Sequence, residues 1–135
     1  MSAVPDAGVA SLLGLLDDWR RLTLAEKEAI DSLDWDTLRD LQKQKAQLQP
    51  QIARGEAEVF GPGSAATPKR AAEKRRLREC VEELAKLEKK NGDSLAILIA
   101  ADKQRLENAG QSLRSLRVVQ RAYAKASQSF WHSYS

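Results

Sequence analysis

Lys69–Trp131 reads KRAAEKRRLRECVEELAKLEKKNGDSLAILIAADKQRLENAGQSLRSLRVVQRAYAKASQSFW. The stretch holds no proline, and its only glycines are Gly92 and Gly110. Leu77, Val81, Leu84, Leu87, Leu95, Leu98, Leu106, Ala109, Leu113, Leu116, Tyr123 and Phe130 recur at steps of three and four or their sums. That spacing draws one apolar stripe along a helix. Unbroken, such a helix would run on the order of 90 Å at the usual rise per residue. It cannot bury its stripe alone, so the first half of the chain has to cover it.

That first half carries a matching pattern. Val9, Leu12, Leu13, Leu16, Trp19, Leu22, Ala29, Ile30 and Leu33 form one series; Trp35, Leu38, Leu41, Leu48 and Ile52 form a second. Thr23 and Glu26 have capping-box spacing, but nothing before them breaks the helix, so the helix is read straight through. Asp34 is placed to cap a new helix, and Asp36 suits its positive end. No glycine or proline forces a turn there, which leaves a kink and a turn both open. Lys45 stands where the stripe calls for an apolar residue; the expectation is a stem laid on the core with its head in water. Pro50 lacks an N–H and should bend or loosen the turns around it.

Val59–Pro68, VFGPGSAATP, is the clear break. Thr67 followed by Pro68 has the pattern of an N-cap with proline at the first helical position. Asn91-Gly92 is the weakest point of the long stretch, and continuity or a mild kink is expected. The expected fold is all-α: one domain, 1–135, an elongated antiparallel hairpin or bundle of three to four long helices with coiled-coil-like packing. Its parts are a frayed N-terminus (1–8), a first helical half (9–58), a linker (59–68) and a long C-terminal helix or helix pair (69–131).

Composition narrows the function classes. Of 135 residues, 42% are hydrophobic and 30% charged, a foldable balance. No window approaches the ~20 apolar residues of a membrane span, and no signal peptide is evident. Cys80 is the only cysteine, so no intrachain disulfide forms, and a cytoplasmic location is expected. Residues 1–68 hold 7 Lys/Arg against 11 Asp/Glu, a net of −4; residues 69–135 hold 15 against 8, a net of +7. Folding one half on the other would pair these charges without any nucleic acid.

Catalytic chemistry finds little footing. Asp17 with Asp18, and Asp34 with Asp36, sit on helix surfaces or caps rather than in a water-poor cleft. His132 is the only histidine and has no second ligand at metal spacing. Cys80 lies beside the stripe as a small hydrophobe. No phosphate-cradling glycine loop occurs. The reading is therefore no enzyme, no cofactor and no metal site.

Two surfaces remain. Lys69, Arg70, Lys74, Arg75, Arg76 and Arg78 concentrate positive charge that would suit phosphates or an acidic partner, although no aromatics interleave for stacking on bases. Leu113, Leu116, Val119, Tyr123 and Phe130, with Val118 and Trp131 beside them, form an apolar surface suited to an amphipathic helix from another protein.

A family resemblance bears on the choice. Asp34-Trp-Asp-Thr-Leu38 followed by Lys45 and Leu48, then Leu84, Leu87, Asn91, Leu95 and finally Tyr123, resembles the flagellar type III export chaperones of the FlgN and FliT type. The order and spacing span nearly the whole chain. Those chains often carry a glycine just before the acidic joint, where Leu33 stands here, and another after the late tyrosine, where Ala126 and Ser127 stand. The Val59–Pro68 break and the basic cluster have no counterpart in that pattern. The resemblance implies a cytoplasmic chaperone that binds the C-terminal helix of a late substrate, such as a hook-associated protein, and delivers it to the export apparatus. Leu113, Leu116, Val119, Tyr123 and Phe130 are the expected substrate contacts. The alternatives are a coiled-coil adaptor that pairs with its own copy as a homodimer and a nucleic-acid binder using the basic cluster.

Overall fold

The computed structural model describes residues 7–61, 67–101, 116–123 and 125. Three helices are named in chain order: α1 (Ala7–Asp31), α2 (Trp35–Phe60) and α3 (Pro68–Ala101). A fourth helical segment covers residues 116–123. No strand occurs among the described residues. The fold is an all-α bundle.

The joint after α1 is a turn rather than a kink. The N–H of Asp34 donates to the carbonyl of Ala29 at 2.8 Å, and that of Leu33 to Ile30 at 3.1 Å. This pair of bonds is a Schellman closure, which needs its central residue in the left-handed region. Leu33 takes that role at φ 58°. A glycine enters this region without the steric penalty that a leucine meets. Asp34 then caps α2, accepting from Thr37 N at 3.2 Å and from Thr37 Oγ1 at 2.7 Å. Those two bonds hold the Asp34 carboxyl below its ordinary range.

Several boundaries differ from the sequence expectation. Ala7 and Gly8 already belong to α1, because Val9 is buried and anchors that first turn. Val59 and Phe60 belong to α2 rather than the linker, since Val59 is a core residue. The helix continues through Pro50. Gly61 follows as its cap; a Cβ at this position would fall 2.1 Å from the Ala57 carbonyl oxygen. Thr67 Oγ1 accepts from Arg70 N at 3.0 Å, and Pro68 opens α3. The chain runs unbroken through Thr23–Glu26 and through Asn91-Gly92.

α1 packs along both α2 and α3. Pairs such as Gly55 with Leu12, and Gln42 with Glu26, set α2 antiparallel to α1. Arg20 with Glu83 and Thr23 with Asn91 set α3 parallel to α1. Tyr123 lies against Gly92, where a built Cβ would sit 3.4 Å from the tyrosine Cβ. One straight helix from residue 69 to 131 is thereby excluded, because residues 92 and 123 would then stand about 46 Å apart. Leu116 joins the cluster of Ala29, Ile30, Leu95 and Ile99, so the last segment runs antiparallel to α3.

The core has two apolar clusters. The first holds Val9, Leu12, Leu16, Ile52, Val59, Leu77, Val81 and Leu84, with Trp19 at its edge. The second holds Ala29, Ile30, Trp35, Leu38, Leu41, Leu95, Ile99, Leu116 and Tyr123. Cys80 is half-buried against the first, and burial pushes its thiol pKa up, which keeps it protonated and unreactive.

Candidate functional site: a charged layer inside the bundle

Between the two clusters the seam turns polar. The inward positions of α1 follow steps of three and four: Val9, Leu12, Leu16, Trp19, Thr23, Glu26, Ile30. The same rhythm on α3 gives Leu77, Val81, Leu84, Glu88, Asn91, Leu95. On α2, Lys45 occupies the corresponding place between Leu41 and Ile52. The three helices thus bring Thr23, Glu26, Lys45, Glu88 and Asn91 to one level, all buried.

Lys45 is the hub. Only 4% of its side chain is exposed, so its head is enclosed rather than reaching water, which corrects the expectation of a snorkelling lysine. The reason is that α1 and α3 each present a carboxylate inward. Lys45 Nζ bonds Glu26 Oε1 at 2.6 Å and also bonds Glu88 Oε1. Two rings flank the ammonium, with centroids at 4.6 Å for Trp19 and 5.3 Å for Tyr123, within cation–π range.

The remaining bonds complete the layer. Trp19 Nε1 donates to Glu88 Oε1 at 2.9 Å. Thr23 Oγ1 lies within reach of the same oxygen at 3.0 Å and of the Trp19 carbonyl at 2.9 Å. Asn91 Nδ2 donates to the Thr23 carbonyl at 2.9 Å, tying α3 to α1. Gln42 donates to Glu26 Oε2.

Burial raises the Glu26 pKa from 4.5; the Lys45 charge and its hydrogen bond oppose this, and Glu88 adds to it. The Tyr123 phenol is driven far upward by burial first, then by the negative charge of Glu26 and Glu88. Its hydroxyl feels Glu26 and Gln42 but is in hydrogen-bonding geometry with neither. Beside the layer lies a cavity of about 190 Å³, with Trp19, Lys45, Glu88 and Tyr123 among its walls. Exposed Ala46, Gln49, Ala122 and Lys125 border it toward solvent.

The expected substrate contacts are placed differently from one another. Leu116 and Tyr123 are only 3% and 1% exposed. They fill the chain's own second cluster and do not line an open groove, because α1, α2 and α3 enclose that end of the seam only with their help. Val119 packs half-buried against the same cluster, while Val118 is exposed. Leu113, Phe130, Trp131 and His132 lie outside the described residues.

The basic cluster occupies the first turns of α3. Lys69, Lys74, Arg75, Arg76 and Arg78 are exposed, and Arg70 is half-buried with Glu73 at 3.4 Å. One surface pair linking the two halves, Arg20–Glu83 at 2.8 Å, carries its cation on the acidic half. Among the described residues, no helix is long and apolar enough to cross a membrane, and no group of His, Cys, Asp and Glu is arranged to hold a metal.

Sequence reasoning singled out Lys45 but missed Glu26 and Glu88. It counted Leu22 and Leu87 into the stripe, and these are only partly buried. The available signal was a strict three–four rhythm that passes through Glu26 and Glu88 with a lysine on the intervening helix. Comparison of the chain with family models, with curated proteins and with solved structures finds no match.

Proposed function

We propose that the chain is a small export chaperone of the flagellar type III kind. On this reading it works in the cytoplasm without nucleotide, cofactor or catalysis. It binds the C-terminal helix of a late substrate such as a hook-associated protein, masks the apolar face that would otherwise assemble, and carries it to the export apparatus.

One observation carries the reading. Six of the residues on which the family resemblance rests are scattered in sequence, yet they meet in space. Trp35, Leu38, Leu95 and Tyr123 share the second cluster. Lys45 and Asn91 sit in the charged layer that adjoins it, with Tyr123 beside Lys45. Leu84 of the same pattern lies in the first cluster and Leu48 packs against it, so the support comes from the part of the pattern around the charged layer.

Because Leu116 and Tyr123 are enclosed, the docking surface on this reading lies outside them. Ile97 on α3, 67% exposed, and Val118 on the last segment, 55% exposed, are the large apolar side chains offered there. Co-expression with a hook-associated protein should yield a co-purifying complex. Ile97→Asp combined with Val118→Asp should abolish it while far-UV helicity and the thermal midpoint stay put. Failure of the wild-type chain to retain any filament-type substrate would overturn the reading.

A further inference from the structure

The last helical segment, residues 116–123 with 125, has two different faces. Leu116, Val119 and Tyr123 turn inward onto the second cluster. Nearly opposite, Arg117, Arg121 and Lys125 recur at four-residue steps, and all three are exposed. Such steps keep three side chains within about 80° around a helix and set them about 6 Å apart along it. Val118, 55% exposed, and exposed Ala122 run beside them at the same step.

This charge is unmatched. On α1 and α3, cations meet carboxylates three or four residues away: Arg21 with Asp17, Lys27 with Asp31, Arg70 with Glu73, and Lys89 with Asp93. Residues 116–125 contain no Asp or Glu. Among the described residues, Arg117, Arg121 and Lys125 form no ion pair with another helix either. Like charges at this spacing work against a helix, so the segment carries a cost that its own bundle does not offset.

The geometry selects the partner. A straight row of cations at steps of about 6 Å matches carboxylates at four-residue spacing on a second helix lying alongside. Val118 and Ala122 offer that helix an apolar strip, and Ala122 is small enough to let a partner side chain approach. Single-stranded nucleic acid looks for exposed rings, and Tyr123, the sole aromatic of residues 116–125, is buried. A membrane looks for bulky apolar side chains to insert, and Val118 is the only large one exposed among the described residues of this segment.

We propose that this face docks an amphipathic helix of a partner protein that carries carboxylates at four-residue spacing beside its apolar side. The inference rests on the chaperone reading for the choice of Val118 as a docking surface, and adds the charge that the guest must carry.

The test measures binding to the full chain of three helical peptides of about twenty residues. They share one apolar face and carry Glu, Gln or Lys at three positions four residues apart. The Glu peptide should bind about tenfold more tightly than the Gln peptide, as three exposed ion pairs allow, and the Lys peptide should bind most weakly. Raising salt from about 0.05 M to about 0.5 M should erase most of that preference. Arg117→Glu, Arg121→Glu and Lys125→Glu combined should reverse the order of the Glu and Lys peptides while far-UV helicity holds. Lys74→Glu, Arg75→Glu and Arg76→Glu combined, on the basic start of α3, should leave the Glu-peptide affinity within about twofold, since salt screens distant charges. Val118→Ser should weaken the Glu and Gln peptides alike. A Glu peptide that binds no better than the Gln peptide, or whose preference survives charge reversal at 117, 121 and 125, would overturn the proposal. So would tighter capture of phosphatidylserine vesicles or duplex DNA through the same three residues, or a homodimer in sedimentation that the reversal dissociates. A hook-associated protein retained equally by wild type and the charge-reversed chain would sink this inference and spare the chaperone reading. Glu-peptide selectivity without retention of any filament-type substrate would do the opposite.

Discussion

The first apolar cluster and the charged layer beside it belong to the same seam and obey the same three–four rhythm. In the cluster, Leu12 and Leu16 meet Ile52, Val81 and Leu84. These contacts are non-directional, and one leucine replaces another if the helices slide. In the layer, Lys45 must stand opposite both Glu26 and Glu88. Sliding α2 by one heptad, about 10 Å, would set Lys45 among leucines and strand two carboxylates. Burying unpaired charge is among the costliest things a core can do. The cluster therefore supplies most of the apolar burial, and the layer supplies the selection of register.

That contrast can be broken most forcefully at Lys45. Lys45→Met leaves two buried carboxylates facing each other, and a loss of about 3–5 kcal/mol is expected from chemical denaturation. Adding Glu26→Gln and Glu88→Gln to that variant should restore more than half of it. A single-variant loss no larger than that of a surface substitution would mean that Lys45 is not held between the carboxylates.

Leu84→Ala tests the other side. Leu84 is buried in the first cluster, and its truncation should cost about 3 kcal/mol through lost burial and a residual void. The loss should be the same at pH 5 and pH 8, because no titrating group touches the argument. A strongly pH-dependent loss would show that cluster and layer are not separable.

The smallest effect concerns protons. The folded state raises the Glu26 pKa above 4.5, so the folded chain holds this proton more tightly than the unfolded one. The stabilisation linked to it is fully present below pH 4.5 and is lost as pH climbs through the raised value. Glu26→Gln removes that dependence. The stability difference between wild type and variant should therefore change across the window above pH 4.5 and level off beyond it. A difference flat from pH 4 to 8 would place Glu26 in a more watery setting than its burial indicates.

Much of this molecule was readable from one dimension. Apolar spacing gave helices, Thr67-Pro68 gave the start of α3, and Asp34 gave a cap, because each rests on interactions within a few residues. The Glu26–Lys45–Glu88 triad was not readable in that way. Lys45 stood out in the stripe, but its place did not name Glu26 and Glu88 as its partners, and only the juxtaposition of three helices makes burial tolerable. Leu33 is similar: nothing local favours a leucine at positive φ, and the packing of α2 back on α1 imposes it.

The sequence alone determined the helical class and the break at Val59–Pro68, since periodicity and capping are local; it left the turn at Leu33-Asp34 open and did not place the reversal between α3 and the last segment. Only the tertiary structure decided which polar residues went inside, that Leu116 and Tyr123 serve the chain's own core, and that a cavity lies beside Lys45. Those outcomes depend on what each side chain faces across the bundle, and partners some twenty to seventy residues away leave no mark on local spacing.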